Sequence, residues 1–544
     1  MKDLSRQCRY YIDNTNAFRF HRSATESSEA HAERSGNESK EYFMIYLLIS
    51  SIDGYMMSIE NVAIKRLNAL KNEFDIQLVT VNYNANAHDF SEKLGILRNS
   101  HLNMYDFFQE YSDINYETFV TIDDLLTGHN YHTERIRDKG TYPGFKIYNN
   151  KQHIMTVRCI DINTKQILSV FSFDINGKYC KLDTYDIRGY KSSETILGDD
   201  KTIIAKYFYT KDGKRVIEKF YGKYATERLV PTLIKLLYGS KYYVFYSEDE
   251  LIAFFLDCLV AQNAQKTCFI SDRNAIYGYP LALMTRDAQK FAVLHSTHYR
   301  KLRNVFDAEI KKAYSSIFKN IDKFTGFVVQ TEAQKADVLR MHPSVNVRVI
   351  QSGWTTRPEF STKRKTNKIM AVARLSEEKG LDQTIKAFHI VQQALSDAEL
   401  HIFGRGPQQE QLADCVRALS LENKVFLRGH VENLENEYAS AELFVLSSRF
   451  EGLSLVLLEA QSHGVPCVAY DVNYGPSDSI VDGETGYLVQ YGDIDGLAAK
   501  MLMILLDEEK KQIFIKNSMK YRERFSKEVI VHKWSELFKS IEIN

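Results

Sequence analysis

Three patterns of apolar and polar residues succeed one another along the chain. Residues 1–40 mix Ser, Asn, Glu, Arg and His without period, which predicts a poorly ordered polar extension. The pattern then changes abruptly. Tyr42 to Ile49 is a continuous apolar run of strand length, and after the Ser51-Ile-Asp-Gly54 turn Ile59, Val62, Ala63, Leu67 and Leu70 recur at helical spacing. Ile76 to Val81 is a second apolar run, so this segment predicts one βαβ unit.

From 86 to 225 the strand and helix alternation is lost, first into a Tyr- and Asp-rich stretch and then into period-two segments separated by hairpin signals. Asn176-Gly177 and Asp212-Gly213 are the strongest of these, because both residue types tolerate the positive φ of tight hairpins. An antiparallel β-rich insertion is expected here. Its aromatic and β-branched strands, such as Val170–Phe173 and Ile203–Tyr209, fit either a meander solvated on one face or an assembly surface.

After 240 the βα rhythm returns. Tyr242–Tyr246, Cys268–Ile270, Phe291–Leu294, Gly326–Val329 and Val347–Ile350 read as short buried strands between helices. Asn367–Val372 begins a second series, continued by Leu400–Phe403, Val425–Leu427, Leu443–Leu446 and Pro466–Ala469. The fold class is therefore α/β with two doubly wound domains. The expected boundaries are 41–85 with 226–355 for the N-terminal domain, 86–225 for the insertion, 356–525 for the C-terminal domain, and 526–544 for a helix crossing back. Right-handed crossovers place ligands outside the carboxyl ends of such strands, so two facing domains imply a cleft.

Composition narrows the function. The 544 residues hold 70 Lys plus Arg against 70 Asp plus Glu, a neutral sum that argues against nucleic-acid binding by bulk charge. Hydrophobic residues at 44% and only 8 Pro describe a chain able to bury large cores. The 7 cysteines are scattered and nowhere spaced as C-x-x-C, which fits a reducing cytosol better than a disulfide or zinc framework. The apolar run Phe43–Ser51 is about half of the roughly 20 residues that span a bilayer, and no basic n-region precedes an apolar h-region. Neither a signal peptide nor a membrane span is predicted.

The chemistry concentrates in the second series. Arg449-Phe-Glu451-Gly452-Leu-Ser454 follows a strand and runs into an apolar helix that contains Glu459. The two glutamates are eight positions apart, about two helical turns, so both can face one cleft edge. Free amides of Gly452 and Ser454 at the helix start would suit a diphosphate. A solvated glutamate pair favoured by the helix dipole is the plainer alternative. Ala373-Arg374-Leu-Ser-Glu-Glu-Lys379-Gly380 follows the first strand of the same domain, and Arg374 with Lys379 makes a fork and a point charge suited to phosphate oxygens. Phe403-Gly404-Arg-Gly-Pro407, Tyr474-Gly-Pro-Ser-Asp478 and Gly483-Glu-Thr-Gly486-Tyr-Leu488 add glycine turns.

This ordered set of motifs resembles the retaining, two-domain GT-B glycosyltransferases of family 4, over most of residues 42–540. The insertion, Asn103-Met-Tyr-Asp-Phe-Phe108, and Val293-Leu-His295-Ser-Thr-His298 followed by Val329-Gln-Thr-Glu-Ala-Gln334 are similar to the wall teichoic acid α-glycosyltransferases of the TagE and TarM type. Those are related to the GtfA enzymes that glycosylate serine-rich adhesins. The resemblance implies two facing Rossmann-like domains with an antiparallel insertion in the first, and a UDP-sugar-dependent hexosyltransferase. Arg374 and Lys379 would hold the diphosphate and stabilise the charge on it as the sugar leaves. Glu459 would accept hydrogen bonds from the ribose, Glu451 would sit near the transferred sugar and the reacting centre, and His295 would reach across the cleft. Gly452, Ser454, Gly404 and Gly54 would line the donor site. The family usually has a Gly-rich loop after the first strand; this chain offers Gly54, with Ser58 where a glycine is expected.

No cofactor and no metal are expected. His295 and His298 are three apart without a clearly spaced third ligand, and Asp493-Ile-Asp495 precedes a helix it would cap. The expected reaction moves glucose or N-acetylglucosamine from UDP to poly(glycerol phosphate) or poly(ribitol phosphate). The alternatives are O-glycosylation of adhesin Ser or Thr, and a non-catalytic partner subunit of such a complex. Expected partners are the UDP-sugar, the polymer, and a second copy or partner glycosyltransferase on the insertion, with no nucleic acid. The expected site is the cytoplasm, with weak peripheral contact at the inner membrane face.

Overall fold

The computed structural model describes residues 43–54, 58–111, 119–136, 142–223, 229–300, 309–355 and 365–542. The predicted polar extension lies outside them. The chain opens with β1 (Met44–Leu48), α1 (Ser58–Leu70), β2 (Asp75–Thr80) and β3 (His101–Asn103). Ten strands follow, β4 (His132–Ile136) to β13 (Lys241–Phe245), then β14 (Thr267–Ser271), β15 (Gln289–Leu294), α2 (Lys312–Lys319), β16 (Gly326–Val329) and β17 (Val347–Val349). The second doubly wound domain comprises β18 (Lys368–Val372), α3 (Leu381–Ala394), β19 (Glu399–Phe403), β20 (Val425–Gly429), β21 (Leu443–Leu446), α4 (Leu455–Ser462), β22 (Cys467–Asp471), β23 (Gly486–Gln490) and α5 (Ile494–Leu505), and α6 (Lys527–Glu542) closes the described chain.

The first sheet has seven parallel strands in the order β17-β16-β15-β14-β1-β2-β3, and the second has six in the order β20-β19-β18-β21-β22-β23. Helices cover both faces of such sheets, which is why the central strands read as unbroken apolar runs. The order reverses beside β1 in one sheet and beside β18 in the other, the positions where crevices open at the carboxyl ends. The third sheet is a ten-stranded antiparallel meander from β4 to β13 in sequence order. Its hairpin glycines behave as expected, with Gly177 at φ +74° and Gly213 at φ +79°.

Three elements differ from the sequence reading. Tyr242–Tyr246 is not a buried strand of the returning series: β13 pairs antiparallel with β12 (Leu229–Tyr238) and forms one edge of the meander. Tyr242 is 77% exposed there, because an aromatic run is equally at home in a core and on a pleated edge, and only tertiary pairing decides between them. β3 belongs to the seven-stranded sheet by parallel pairing with β2, inside the span expected to be insertion. Its three residues, two of them polar, carry no strand signal. Gly486-Tyr-Leu is likewise the start of β23 rather than a turn, since the turn closes at the preceding residues through Gly483 N donating to Gly486 O.

The C-terminal helix α6 packs into the N-terminal core, where Ile530, Trp534, Leu537, Phe538 and Ile541 join Phe43, Ile45, Leu67 and Leu70. Its amphipathic face is thus satisfied within the protein. Asp493 caps α5 by accepting from Gly496 N at 2.8 Å, the role its position before a helix predicts.

Candidate functional site

The loop after β18 lies against the loop after β19. Ala373 N donates to Phe403 O at 3.0 Å and Leu375 N to Arg405 O at 3.0 Å. Gly404 has φ +141°, and a Cβ there would sit 1.8 Å from the Ala373 carbonyl oxygen. Glycine at 404 is therefore required by the approach of the two loops themselves.

This packing presents Arg374 and Lys379 on the same edge. Arg374 Nε donates to Ser376 Oγ at 3.2 Å, and its guanidinium pairs with Glu378, while its side chain stays 64% exposed. Burial pushes the Glu378 carboxyl up, but bonds from Arg374 and Ser376 outweigh it and pull it down to about 2. Lys379 Nζ donates to Glu451 Oε1 at 2.7 Å across the gap between the β18 and β21 loops. The sequence reading named both residues without pairing them, since 72 positions separate them.

Glu451 precedes the start of α4. Ser454, at φ +60°, opens that helix, its Oγ is buried without a partner, and the amides of Gly452 and Ser454 make no hydrogen bond among the described residues. Those donors stand at the helix start where the sequence leads one to expect a diphosphate. Further along α4, Glu459 Oε2 accepts from Tyr438 OH at 2.8 Å. Burial raises the Glu459 pKa above the ordinary range, against the opposing pull of Tyr438 and the charge of Lys65 on α1.

The opposite wall comes from the N-terminal domain. His295 follows β15, and its Nε2 donates to Asp272 Oδ1 at 2.9 Å while its Nδ1 lies in hydrogen-bond contact with Ser352 Oγ at 2.8 Å. Both ring nitrogens are thus engaged within this domain. Asp272 in turn accepts two bonds from Arg66, at 3.0 and 3.2 Å, and the Arg66 guanidinium lies 3.9 Å from the centre of the Trp534 ring. Burial pushes the Asp272 carboxyl up, and Arg66 and His295 together hold it below its usual range. The sequence reading missed Asp272 and Arg66, although Asp272 stands just beyond the carboxyl end of a strand, where a polar residue is a signal.

The walls touch at Gly452, where a Cβ would sit 2.0 Å from the His295 carbonyl oxygen. Nearby, Asn473 Nδ2 donates to Tyr299 OH at 2.8 Å and Tyr474 OH to Asp337 Oδ2 at 2.7 Å, both across the domain boundary. Gly54 follows β1 in the N-terminal domain. It is exposed, and the atoms nearest a Cβ there belong to Phe90. Among the described residues no group of three or more His, Cys, Asp or Glu could hold a metal ion.

Residues 353–521 match the family described as glycosyl transferases group 1. The chain is similar to the poly(ribitol-phosphate) alpha-N-acetylglucosaminyltransferase of Staphylococcus aureus (strain COL), 28% identical over 354 residues, covering 63% of this chain and 70% of that protein. It is also similar to the poly(glycerol-phosphate) alpha-glucosyltransferase of Bacillus subtilis (strain 168), 24% identical over 382 residues, covering 64% of this chain but only 56% of that relative. Among solved structures, the pneumococcal O-GlcNAc transferase GtfA in complex with UDP and GlcNAc matches with a TM-score of 0.76 at 21% identity, covering 92% of this chain and 99% of that one. At that identity the likeness is one of fold.

Proposed function

We propose that this GT-B glycosyltransferase of group 1 moves glucose or N-acetylglucosamine, with retention, from a UDP-sugar to hydroxyls of a polyol-phosphate polymer. The observation that carries this reading is the meeting of Lys379 and Glu451 at the carboxyl ends of β18 and β21, beside Arg374 and below the wall that holds His295.

In the reaction, the bond between the sugar's anomeric carbon and the β-phosphate oxygen breaks, and a bond to the acceptor oxygen forms on the same face of the ring. The acceptor's proton leaves toward the departing diphosphate. Charge grows on that diphosphate, and cations fixed beforehand stabilise it most in the transition state. Arg374 and Lys379 take this role. Glu451 holds the Lys379 ammonium in place and accepts from sugar hydroxyls, and Glu459 accepts from the ribose. The free amides at 452 and 454 complete the anion site. His295, fixed by Asp272 and Ser352, shapes the opposite wall; to bond a sugar hydroxyl through its ring it would first release one of those partners.

No helix among the described residues is long and apolar enough to cross a membrane; contact with a membrane-borne acceptor is proposed to be peripheral. The exposed β13 edge, with Tyr242 and Val244, is the surface we assign to a second copy or a partner chain. A monomer by light scattering at micromolar concentration would count against self-association.

A second reading, O-glycosylation of Ser or Thr in a polypeptide, draws on the fold match to GtfA. One assay separates them: UDP-glucose or UDP-N-acetylglucosamine with, in parallel, poly(glycerol phosphate), poly(ribitol phosphate) and a Ser-rich polypeptide. Transfer to a polymer is expected. Transfer to the polypeptide alone selects the second reading, and no transfer with binding to another glycosyltransferase indicates a non-catalytic subunit.

A further inference from the structure

Lys311, just before α2, was not singled out by the sequence, yet it stands where the two walls meet. Its backbone is fixed by Lys311 N donating to His298 O at 2.8 Å. Its ammonium donates to Ser296 Oγ at 3.3 Å and to Thr297 Oγ1, in the loop that carries His295. On the other side lies the ring of Phe450, with Nζ 4.1 Å from its centre. Phe450 belongs to the C-terminal domain and immediately precedes Glu451. Lys311 is thus an N-terminal-domain cation at the Lys379–Glu451 meeting point.

Its partners are incomplete for a charge. Two hydroxyls and a ring face hold it, and among the described residues no carboxylate forms an ion pair with it. Burial is the main cause that lowers its pKa to about 8; Glu378 and Glu451 act upward and Lys379 downward. An ammonium removed from water without a counter-ion is costly, and an anion entering beside it removes that cost. The anions that enter this cleft under the proposed reaction are phosphates.

We infer that Lys311 is a phosphate-binding residue of the cleft, supplied by the N-terminal domain against the diphosphate of the donor or the phosphodiester of the polymer. The choice of these two sources rests on the function proposed above. The test compares Lys311→Gln, which keeps a hydrogen-bond donor on a slightly shorter side chain without charge, with Lys311→Arg. UDP affinity is measured by calorimetry, which needs no turnover, and KM for the polymer by transfer.

A charge-assisted hydrogen bond to phosphate predicts a loss of about tenfold or more in one of these for Lys311→Gln, with Lys311→Arg within about threefold of the parent. Weaker UDP binding assigns the donor diphosphate. A raised polymer KM with UDP binding unchanged assigns the acceptor. Both quantities within about twofold of the parent in Lys311→Gln overturn the inference, as does equal loss in both variants, which would mean a packing role on Phe450. If the parent enzyme transfers to no polyol-phosphate polymer, the proposed reaction fails, and UDP binding alone decides the role of Lys311.

Discussion

Lys379 is 23% exposed and Glu451 11%, so their pair is partly shielded from water and serves chemistry more than stability. Lys379→Ala should lower kcat/KM on the order of 100-fold, as removal of one preorganised donor does, with thermal unfolding showing a loss of about 1 kcal/mol. Unchanged transfer by radiolabelled UDP-sugar would take Lys379 out of the site. Glu459 offers a pH test. Its folded pKa is raised, so its carboxylate is lost as pH falls through a value above that of an ordinary glutamate. UDP affinity should therefore decline on mild acidification before ordinary carboxylates titrate. Glu459→Gln should bind UDP about tenfold more weakly and flatten that decline; a parallel decline in the variant would assign the titration elsewhere. Arg374, Lys379, Glu451 and Glu459 were legible because each stands in a contiguous motif after a strand. Asp272 and Arg66 were not, since 206 positions separate them and no local spacing joins them. Lys311 was hidden for the same reason, its ring partner lying in the other domain.

At the scale of elements, hydrophobic runs gave eleven of the thirteen parallel strands to within about two residues, missing β3 and β23, and the Asn-Gly and Asp-Gly pairs gave two hairpins of the meander. β13 misled because its aromatic sequence suits either environment, and β3 because three residues hold no period. Helix α6 is the element on which the first wall depends. Trp534 is 1% exposed and lies under Arg66, which holds Asp272, which holds His295. Trp534→Ala should cost about 3–5 kcal/mol from the lost aromatic packing alone. It should also reduce transfer in the fraction that remains folded, since Arg66 loses the surface that fixes it. A melting temperature within a degree of the parent would show that this helix does not support the domain.

For the whole molecule, the neutral charge sum excluded a uniformly basic polymer binder and left room for the local arrangement found, in which Arg374 and Lys379 pair with Glu378 and Glu451 on one edge of the C-terminal domain. The two walls now meet through Gly452, Phe450, Asn473 and Tyr474. Were the cleft to open for a bulky acceptor, these contacts would be the ones to part, which makes the boundary between the domains a joint.

The position of that joint's axis follows from the path of α6. The chain leaves the seven-stranded domain just beyond Thr355 and re-enters it at Lys527, and these two crossings are stitched to each other: Thr355 N donates to Phe525 O at 2.9 Å, and Thr355 bridges Ser526. Domains tied at two adjacent crossings are expected to turn like a door on paired hinge pins rather than twist or slide. Hydrogen exchange should therefore find the Thr355 amide equally slow with and without UDP, while the amides of Gly452 and Ser454 slow when UDP binds. A Thr355 amide that exchanges faster without ligand would mean that the door comes off its pins, and that the domains separate rather than swing.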